Sequence, residues 1–455
     1  MSEPVFRSFV SEALEQRLQD GIQHALSLGA DGAEAFVTVS RGRKAKVQNG
    51  ALEDLSTSKR GGLGVRVLRD GRTGIATSSN LSRDHFEELF QQAWDLSALG
   101  DQDPWLSQAE PSGQDDLPSR YDARIETLDA EQRIAKAQTL EAEARKASSK
   151  VSAVREAAWA DGAGATLLLT QRGVRTFDLG SSCSASIELA VQEGEDRQAA
   201  WHWDVGRHPE SLDLVAIGRE AALKGERKLN PKALPSGKYP VVLHPEVAVD
   251  LLGLVAGMLS AEAVLKQRSL FTGKLGERIA SPLLTLIDDG RLPTGLGSEP
   301  WDGEGLPTRR NVLLEQGVLK TYLHTLKTAA EMGCQPTASA GRGTGSNPGV
   351  TTFNLFPEAG NQSPEALYRL AEGGVLITEI MGLHTVNPVS GDLSVGASGL
   401  RIRDGVPCEA VDRLTFAGNL RDFLTRIVAL GNDLHWYGSQ AGLTILLEEM
   451  ALGGA

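Results

Sequence analysis

The chain has 455 residues and a formal net charge of −13, from 59 acidic and 46 basic side chains. That balance argues against nonspecific nucleic-acid binding, whose affinity rests on neutralising phosphates. A hydrophobic content of 41% allows a sizeable core, and the length suits two to three domains.

The N-terminal Met1-Ser-Glu-Pro-Val-Phe6 has no basic stretch leading into an apolar run, so no signal peptide is expected. From Phe9 to Leu28, Leu14, Leu18, Ile22 and Leu26 fall on one face of an amphipathic helix. Ala35–Val39, Ala45–Asn49 and Leu52–Thr57 alternate as strands. Gly64–Ala76 reads as a hairpin, with Asp70-Gly71 supplying the two positive-φ positions of its turn. A helix capped by Ser82 follows, with Phe86, Leu89, Phe90 and Ala93 on one face. Gly100–Tyr121, rich in Asp, Pro, Ser and Gln, is expected to be a linker or an exposed loop. The order then recurs: helix at Ala130–Ser148, strands at Val151–Ala158, Thr166–Thr170, Val174–Phe177, Ser184–Gln192 and Gln198–Trp203, and a helix from Pro209 to Leu229. Residues 1–230 thus read as one domain of repeated helix–meander–helix units, consistent with a duplication.

Asn230–Gly237 marks a boundary, and 235–455 reads as a strand-rich second domain, barrel- or sandwich-like, so the fold class is α+β. A strand at Lys238–Leu243 leads through a turn at His244-Pro245 into a helix. Its apolar run Val247–Leu259 is interrupted by Asp250 and is too short to span a membrane. Hairpins are expected at Val312–Tyr322 and Leu400–Pro407, and short helices at Thr325–Met332, Pro364–Glu372 and Leu420–Leu430. Gly341–Gly349 is Gly-rich but lacks the Lys-Ser/Thr of a phosphate loop, and reads as a mobile lid or peptide-contacting segment. Together these features predict a soluble, cytoplasmic protein.

Few residues advertise chemistry. None of the eight histidines has the His-Glu-x-x-His spacing, and His202 and His208 are not placed to converge. The cysteines Cys183, Cys334 and Cys408 have no Cys-x-x-Cys spacing, which argues against a disulfide framework and suits a reducing compartment. Cys334 lacks a neighbouring histidine in sequence, so a nucleophilic role is not expected of it. Asp288-Asp289 can be read as an acid/base pair or as turn residues. In Gly391-Asp-Leu-Ser-Val-Gly-Ala-Ser-Gly399, small residues on a strand would let another backbone approach, or would mark a bulged strand in a crowded sheet.

An ordered set of motifs carries more. Phe271-Thr-Gly-Lys-Leu-Gly-Glu277, Thr285-Leu-Ile-Asp-Asp-Gly290, Trp301-Asp-Gly-Glu-Gly305, Arg310–Lys320, Gly391-Asp-Leu-Ser394, Ala417-Gly-Asn419 and Gly431-Asn-Asp433 together resemble the TldD/PmbA (TldD/TldE) metalloprotease family. The resemblance runs from about Pro235 to Met450 and is mainly architectural before that. It implies a two-subunit protease whose TldD-type subunit carries His-Glu-x-x-x-His on the helix opening this domain, plus a cysteine near the C-terminus, around zinc. Here Leu252 and Gly257 stand where the histidines would be, Gly253 where the glutamate would be, and Ala441 near the cysteine. The resemblance therefore implies the PmbA/TldE-type subunit, with no catalytic residue, metal or other cofactor of its own. Zinc is expected in a TldD-like partner, and unfolded or leader-bearing peptides as substrates. Neither nucleic acid nor membrane is expected as a partner, and a homodimer is allowed when the chain is alone. His384, Asn387, Ser390, Gly391, Asp392 and Ser394 are the peptide-cleft candidates, where a flexible chain would add to a sheet edge. Two alternatives stand beside this reading. One is a non-enzymatic regulatory or binding protein. The other is an independent hydrolase using His244, Asp288, Asp289 or His384.

Overall fold

The computed structural model describes residues 11–113 and 116–454. Helix α1 (Glu12–Ser27) starts at Ser11, whose hydroxyl accepts from the Leu14 amide at 3.2 Å. The expected start at Phe9 lies outside the described residues. Strands β1 (Gly32–Gln48), β2 (Ala51–Arg69) and β3 (Arg72–Ser78) form a meander, and Asp70 and Gly71 take φ of +49° and +67° in its turn. Helix α2 (Glu87–Ser97) begins later than the Ser82 cap predicts. Ser82 instead donates its amide to Asn80 Oδ1 in a turn, and the N-cap is Phe86, fixed by complete burial. After a short α3 (Arg124–Thr127) come α4 (Ala130–Ala147), β4 (Val151–Thr170), β5 (Arg175–Glu193), β6 (Asp196–Gly206) and α5 (Leu214–Arg227). The single helix expected from Pro209 is instead a 3-10 turn, Pro209–Ser211, and then α5, capped by Asp213.

All six strands make one antiparallel sheet in the order β3-β2-β1-β4-β5-β6. The element order α1-β1-β2-β3-α2 recurs as α4-β4-β5-β6-α5, and the two meanders meet at β1–β4. Strands expected as fragments are continuous, since β1, β2, β4 and β5 run 17, 19, 20 and 19 residues. The reason is visible in the register. The polar stretch around Arg41–Arg43 lies opposite Asp161–Ala163, with Gly42 facing Gly162. Hydrophobic patterning lapses there because the sheet passes between two helix pairs, while the ladder continues. On one side of this waist α1 and α2 bury Leu14, Leu18, Ile22, Leu89 and Phe90 against the sheet. On the other, α4 and α5 bury Leu140, Ile217 and Ala221 against Trp159 and Ile187.

The opposite face of the sheet receives the rest of the chain through Phe36, Leu168 and Val174, which pack with Leu306 and Leu326. This C-terminal part begins with β7 (Gly237–Leu243), α6 (Pro245–Met258) and α7 (Ala261–Leu265). Strands β8 (Leu286–Asp289), β9 (Arg310–Glu315) and β10 (Val318–Leu319) follow, then α8 (Leu326–Met332), β11 (Ala340–Gly341), β12 (Gly349–Val350), β13 (Leu355–Pro357) and α9 (Pro364–Leu370). Then come β14 (Val375–Met381), β15 (Asp392–Arg403), β16 (Val406–Asn419), α10 (Leu420–Thr425), β17 (Ile427–Leu430), β18 (His435–Tyr437), β19 (Gln440–Gly442) and β20 (Ile445–Gly453). Both expected hairpin turns form, with positive φ at Gln316-Gly317 and Asp404-Gly405. The helix expected through Leu430 stops at Thr425, because Ile427–Leu430 pairs with β20.

Strands β16, β15, β14, β7 and β20 form a closed five-stranded barrel, completed by Thr415 and Phe416 of β16 pairing with Gly453 and Leu452 of β20. A second sheet has the order β10-β9-β8-β13-β19-β18. The chain is thus α+β with a strand-rich, barrel-containing C-terminal part. Two segments expected to be loose are packed. Arg342, in the Gly-rich Gly341–Gly349 segment, reaches the N-terminal sheet, where its guanidinium bonds Glu34 at 2.6 Å and lies over the Phe36 ring. In Gly100–Tyr121, the buried Gln108 side chain donates to Glu34 at 2.8 Å.

Candidate functional site

Helix α6 is the mount around which the candidate site is built. His244 closes its N-terminus, with Nδ1 accepting from the Glu246 amide at 3.3 Å, and Pro245 fills the first turn, where no amide donor is needed. Beyond Glu246 and Asp250 the helix is apolar on every side, as suits a buried helix. Leu251, Leu252, Val255 and Met258 are buried in the core, whereas Asp250 and Gly257 are exposed and Gly253 is half-buried. Positions 250, 253 and 257 share one face.

Strand β19 lies directly beside this face. A Cβ on Gly442 would collide with the Pro245 carbonyl, so only glycine lets β19 approach the first turn of α6. A Cβ on Gly253 would stand 3.0 Å from Gln440 Oε1, and one on Gly257 would meet nothing within 4 Å. The fold therefore brings together the two segments to which the sequence resemblance assigns the family's metal ligands. The side chains at Leu252, Gly253, Gly257 and Ala441 carry no donor atom, so they do not fit a zinc ion. Among the described residues, no three His, Cys, Asp or Glu side chains gather as a metal-holding group. Leu252 points into the core, and on a regular helix it stands roughly 140° around the axis from Gly257.

Sequence reasoning missed the titratable groups converging at the start of α6 from other elements. Lys224 of α5 donates to His202 Nδ1 at 3.1 Å and to Glu246 Oε2 at 2.6 Å. One turn later, Lys228 bonds the Ala199 carbonyl at 2.9 Å and Glu379 of β14 at 2.8 Å. The i, i+4 spacing of two lysines at the end of α5 was the sequence signal for this pair of straps. Burial, followed by the nearby Lys224 ammonium, pushes His202 down to about 3 and His244 down to about 4, so both rings are neutral near pH 7. Burial and the neighbouring Glu246 push Asp250 up. Lys224, Lys228, His244, Glu246, Asp250 and Glu379 border a cavity of about 1430 Å³ between β5–β6, α5, α6 and the outer wall of the barrel.

The remaining sequence candidates fall elsewhere. Asn387, Ser390, Gly391 and Asp392 form a self-satisfied turn. Asn387 Oδ1 accepts from the Val389 amide at 2.9 Å, and the Ser390 hydroxyl donates to Asp392 Oδ2 at 2.7 Å. His384 and Ser394 are exposed, and none of these six residues lines the large cavity. The strand edge expected near Gly391–Gly399 is closed between Gly396 and Gly399, where β15 pairs with β14 on one side and β16 on the other. The backbone that Gly399 admits is this chain's own, because a Cβ there would strike the Leu376 carbonyl. Asp288 is fully buried, with Oδ1 accepting from the Phe353 amide at 2.7 Å, and burial pushes its carboxyl up to about 7. Asp289 Oδ1 accepts from the Arg291 amide at 2.8 Å, a turn contact.

His202 and His208 do not converge, since His208 Nδ1 lies 2.9 Å from Asp122 Oδ2. Cys183 is buried, and burial pushes its thiol up to about 12. Cys334 does have a neighbouring histidine, contrary to the sequence expectation, because its Sγ lies 3.6 Å from His324 Nε2. Desolvation raises that thiol and lowers that imidazole, so both are neutral and the pair does not form a reactive thiolate.

Comparison with known proteins accounts for almost the whole chain. Residues 236–454 match the PmbA/TldA metallopeptidase C-terminal domain, 33–97 match its domain 1 and 123–229 its central domain. The chain belongs to the PmbA/TldD family. Metalloprotease PmbA of Escherichia coli O157:H7 is 27% identical over 451 residues, 97% of each chain. A metalloprotease TldD homologue of Haemophilus influenzae is 26% identical, covering 69% of this chain and 67% of its own. Among solved structures, a Thermotoga maritima protein described as a candidate modulator of a DNA gyrase has a TM-score of 0.89 and 28% identity, over 96% of this chain and all (100%) of its own. TldE from Thermococcus kodakarensis has a TM-score of 0.87 over 97% of this chain and 100% of its own, and at 23% identity it shows the shared fold.

Proposed function

We propose that this chain is the metal-free partner subunit of a heteromeric TldD/TldE-type metalloprotease that processes or degrades unfolded or leader-bearing peptides. One observation carries the reading. Helix α6 and strand β19 are held together in this family fold, while Leu252, Gly253, Gly257 and Ala441 offer nothing to bind zinc. The names of the E. coli and H. influenzae relatives support a protease-family role. In this reading a TldD-like chain supplies the zinc and the general base, and this chain completes the peptide cleft in the cytoplasm.

The decisive experiment purifies the chain alone and with the TldD-like chain of the same genome. The expected result is no stoichiometric zinc and no cleavage by the single chain, and peptide cleavage by the co-purified pair. One tightly held zinc per chain, or cleavage by the single chain, overturns the proposal. An independent hydrolase built on Asp288 is disfavoured by that residue's complete burial. A DNA-binding regulator is disfavoured by the net charge of −13, and salt-sensitive DNA binding by the chain would restore it.

A further inference from the structure

Among the described residues, strand β6 is the last strand of its sheet and pairs only with β5. Its outward main-chain groups can be assigned from their partners. The Ala199 carbonyl turns away from β5 to accept from Lys228, and the Val205 amide donates to the Asp204 side chain rather than to the ladder. Antiparallel pairing alternates, so the main-chain groups of Trp201 and Trp203 also point outward. Among the described residues, no hydrogen bond is made to them on that side. Both residues line the 1430 Å³ cavity. Their rings are parallel, with centroids 6.5 Å apart, and Trp201 is 54% exposed. Met381 of β14, 62% exposed, lines the same cavity. Carboxylates outnumber cations in the lining, and Asp250 has no ion-pair partner among the described residues.

We propose that the open edge of β6 at Trp201–Trp203 binds an extended basic peptide segment carrying an aromatic or aliphatic side chain. The peptide would add as a seventh strand beside β6, with its main chain bonding Trp201 and Trp203. Its apolar side chain would lie against the indoles and Met381, and its basic side chains would face Asp250 and the acidic lining. The Lys228–Glu379 strap bounds this segment at Ala199. Asp250 lies one turn of α6 from Gly253, so the groove borders the helix whose counterpart would carry the metal ligands in a TldD-type chain. The inference rests on the peptide-handling reading and names its substrate class.

Calorimetric titration of the isolated full-length chain tests it with a short Val- and Lys-rich peptide. Three controls accompany it: the same peptide N-methylated at alternate residues, an analogue with Glu for Lys, and the Trp201→Ala chain. Each change is expected to weaken binding by at least about tenfold. N-methylation leaves the protein untouched, so its effect is free of any folding defect. Equal affinity for the N-methylated peptide, or no effect of Trp201→Ala, overturns the edge assignment. So does concentration-dependent self-association that Trp201→Ala abolishes without peptide binding, which would make the edge a contact between copies. Cleavage by the chain paired with a TldD-like subunit separates the two proposals. Cleavage with no effect of these changes on binding removes the groove alone. Groove binding with no cleavage by the pair removes the protease reading alone.

Discussion

Asp161 lies in the middle of β4 with its side chain fully buried (0% exposed), held by Arg133 at 2.5 and 3.1 Å, and by the Trp159 indole N–H at 3.1 Å. Removing one member of a buried pair strands the other charge. Asp161→Ala should therefore destabilise the protein by about 3–5 kcal/mol, seen as a lower urea midpoint, whereas a surface change such as Glu12→Ala should leave it nearly unmoved. Asp288 makes a pH-dependent case. Burial first, opposed by the Phe353 amide, moves its carboxyl from 3.8 to about 7 on folding. The folded protein then holds an extra proton between these values, so this group's contribution favours folding at low pH and fades as pH rises through about 7. Asp288→Asn should flatten that part of the stability profile. An unchanged slope of thermal midpoint against pH from 3.8 to about 7 would show that Asp288 does not titrate there. Neither burial was legible in the sequence. Asp161 falls in the Gly- and Ala-rich gap between two expected strands, and Asp288 follows the strand-like Leu286-Ile287 but looks like the start of a turn.

At the scale of elements, local signals worked where the chain's own chemistry decides the geometry. Asp70-Gly71, Gln316-Gly317 and Asp404-Gly405 all take the positive φ that their residue types tolerate. They failed where long-range pairing decides. Ser40–Lys44 has no apolar face, yet it continues β1 because β2 and β4 flank it. The site divided in the same way. The bare helix α6 could be read from its residues, while the Lys224 and Lys228 straps needed contacts between α5, β6, α6 and β14. Gly253 and Gly257 give the element-scale test. Each glycine inside a helix costs about 1 kcal/mol against alanine, and the space around Gly257 is open. At 253 a Cβ would stand 3.0 Å from Gln440 Oε1, the end of a flexible side chain that has to swing aside, and with that shift Gly253→His with Gly257→His should leave thermal stability near its starting value. With both rings on one face at i, i+4, the variant should gain a nickel or zinc affinity that the parent lacks, measured by calorimetry.

At the scale of the whole molecule, the two parts of the chain are joined by charges as well as by apolar contact. Burial pushes Glu34 up, but Arg66 from β2 and Arg342 from the C-terminal part outweigh it and hold the carboxyl down to about 2. Arg342 spans the boundary between the parts, so Arg342→Ala should loosen the docking of Gly341–Gly349 more than it disturbs either core. Limited proteolysis should then cut within Gly341–Gly349 well before the parent chain is cut. An unchanged cleavage pattern would mean that the apolar cluster around Phe36 holds the parts together by itself. Barrel closure also has a consequence for solubility. A closed barrel offers few strand edges for another molecule to copy, so the hazard of edge-to-edge aggregation falls mainly on the N-terminal sheet. There β3 covers Leu63–Arg69 of β2, and among the described residues no strand pairs with Ala51–Gly62 on that flank, where Leu52 and Leu55 are exposed. Glu53, Asp54, Lys59 and Arg60 sit on that flank as gatekeepers, making an aggregating neighbour face both signs of charge at once.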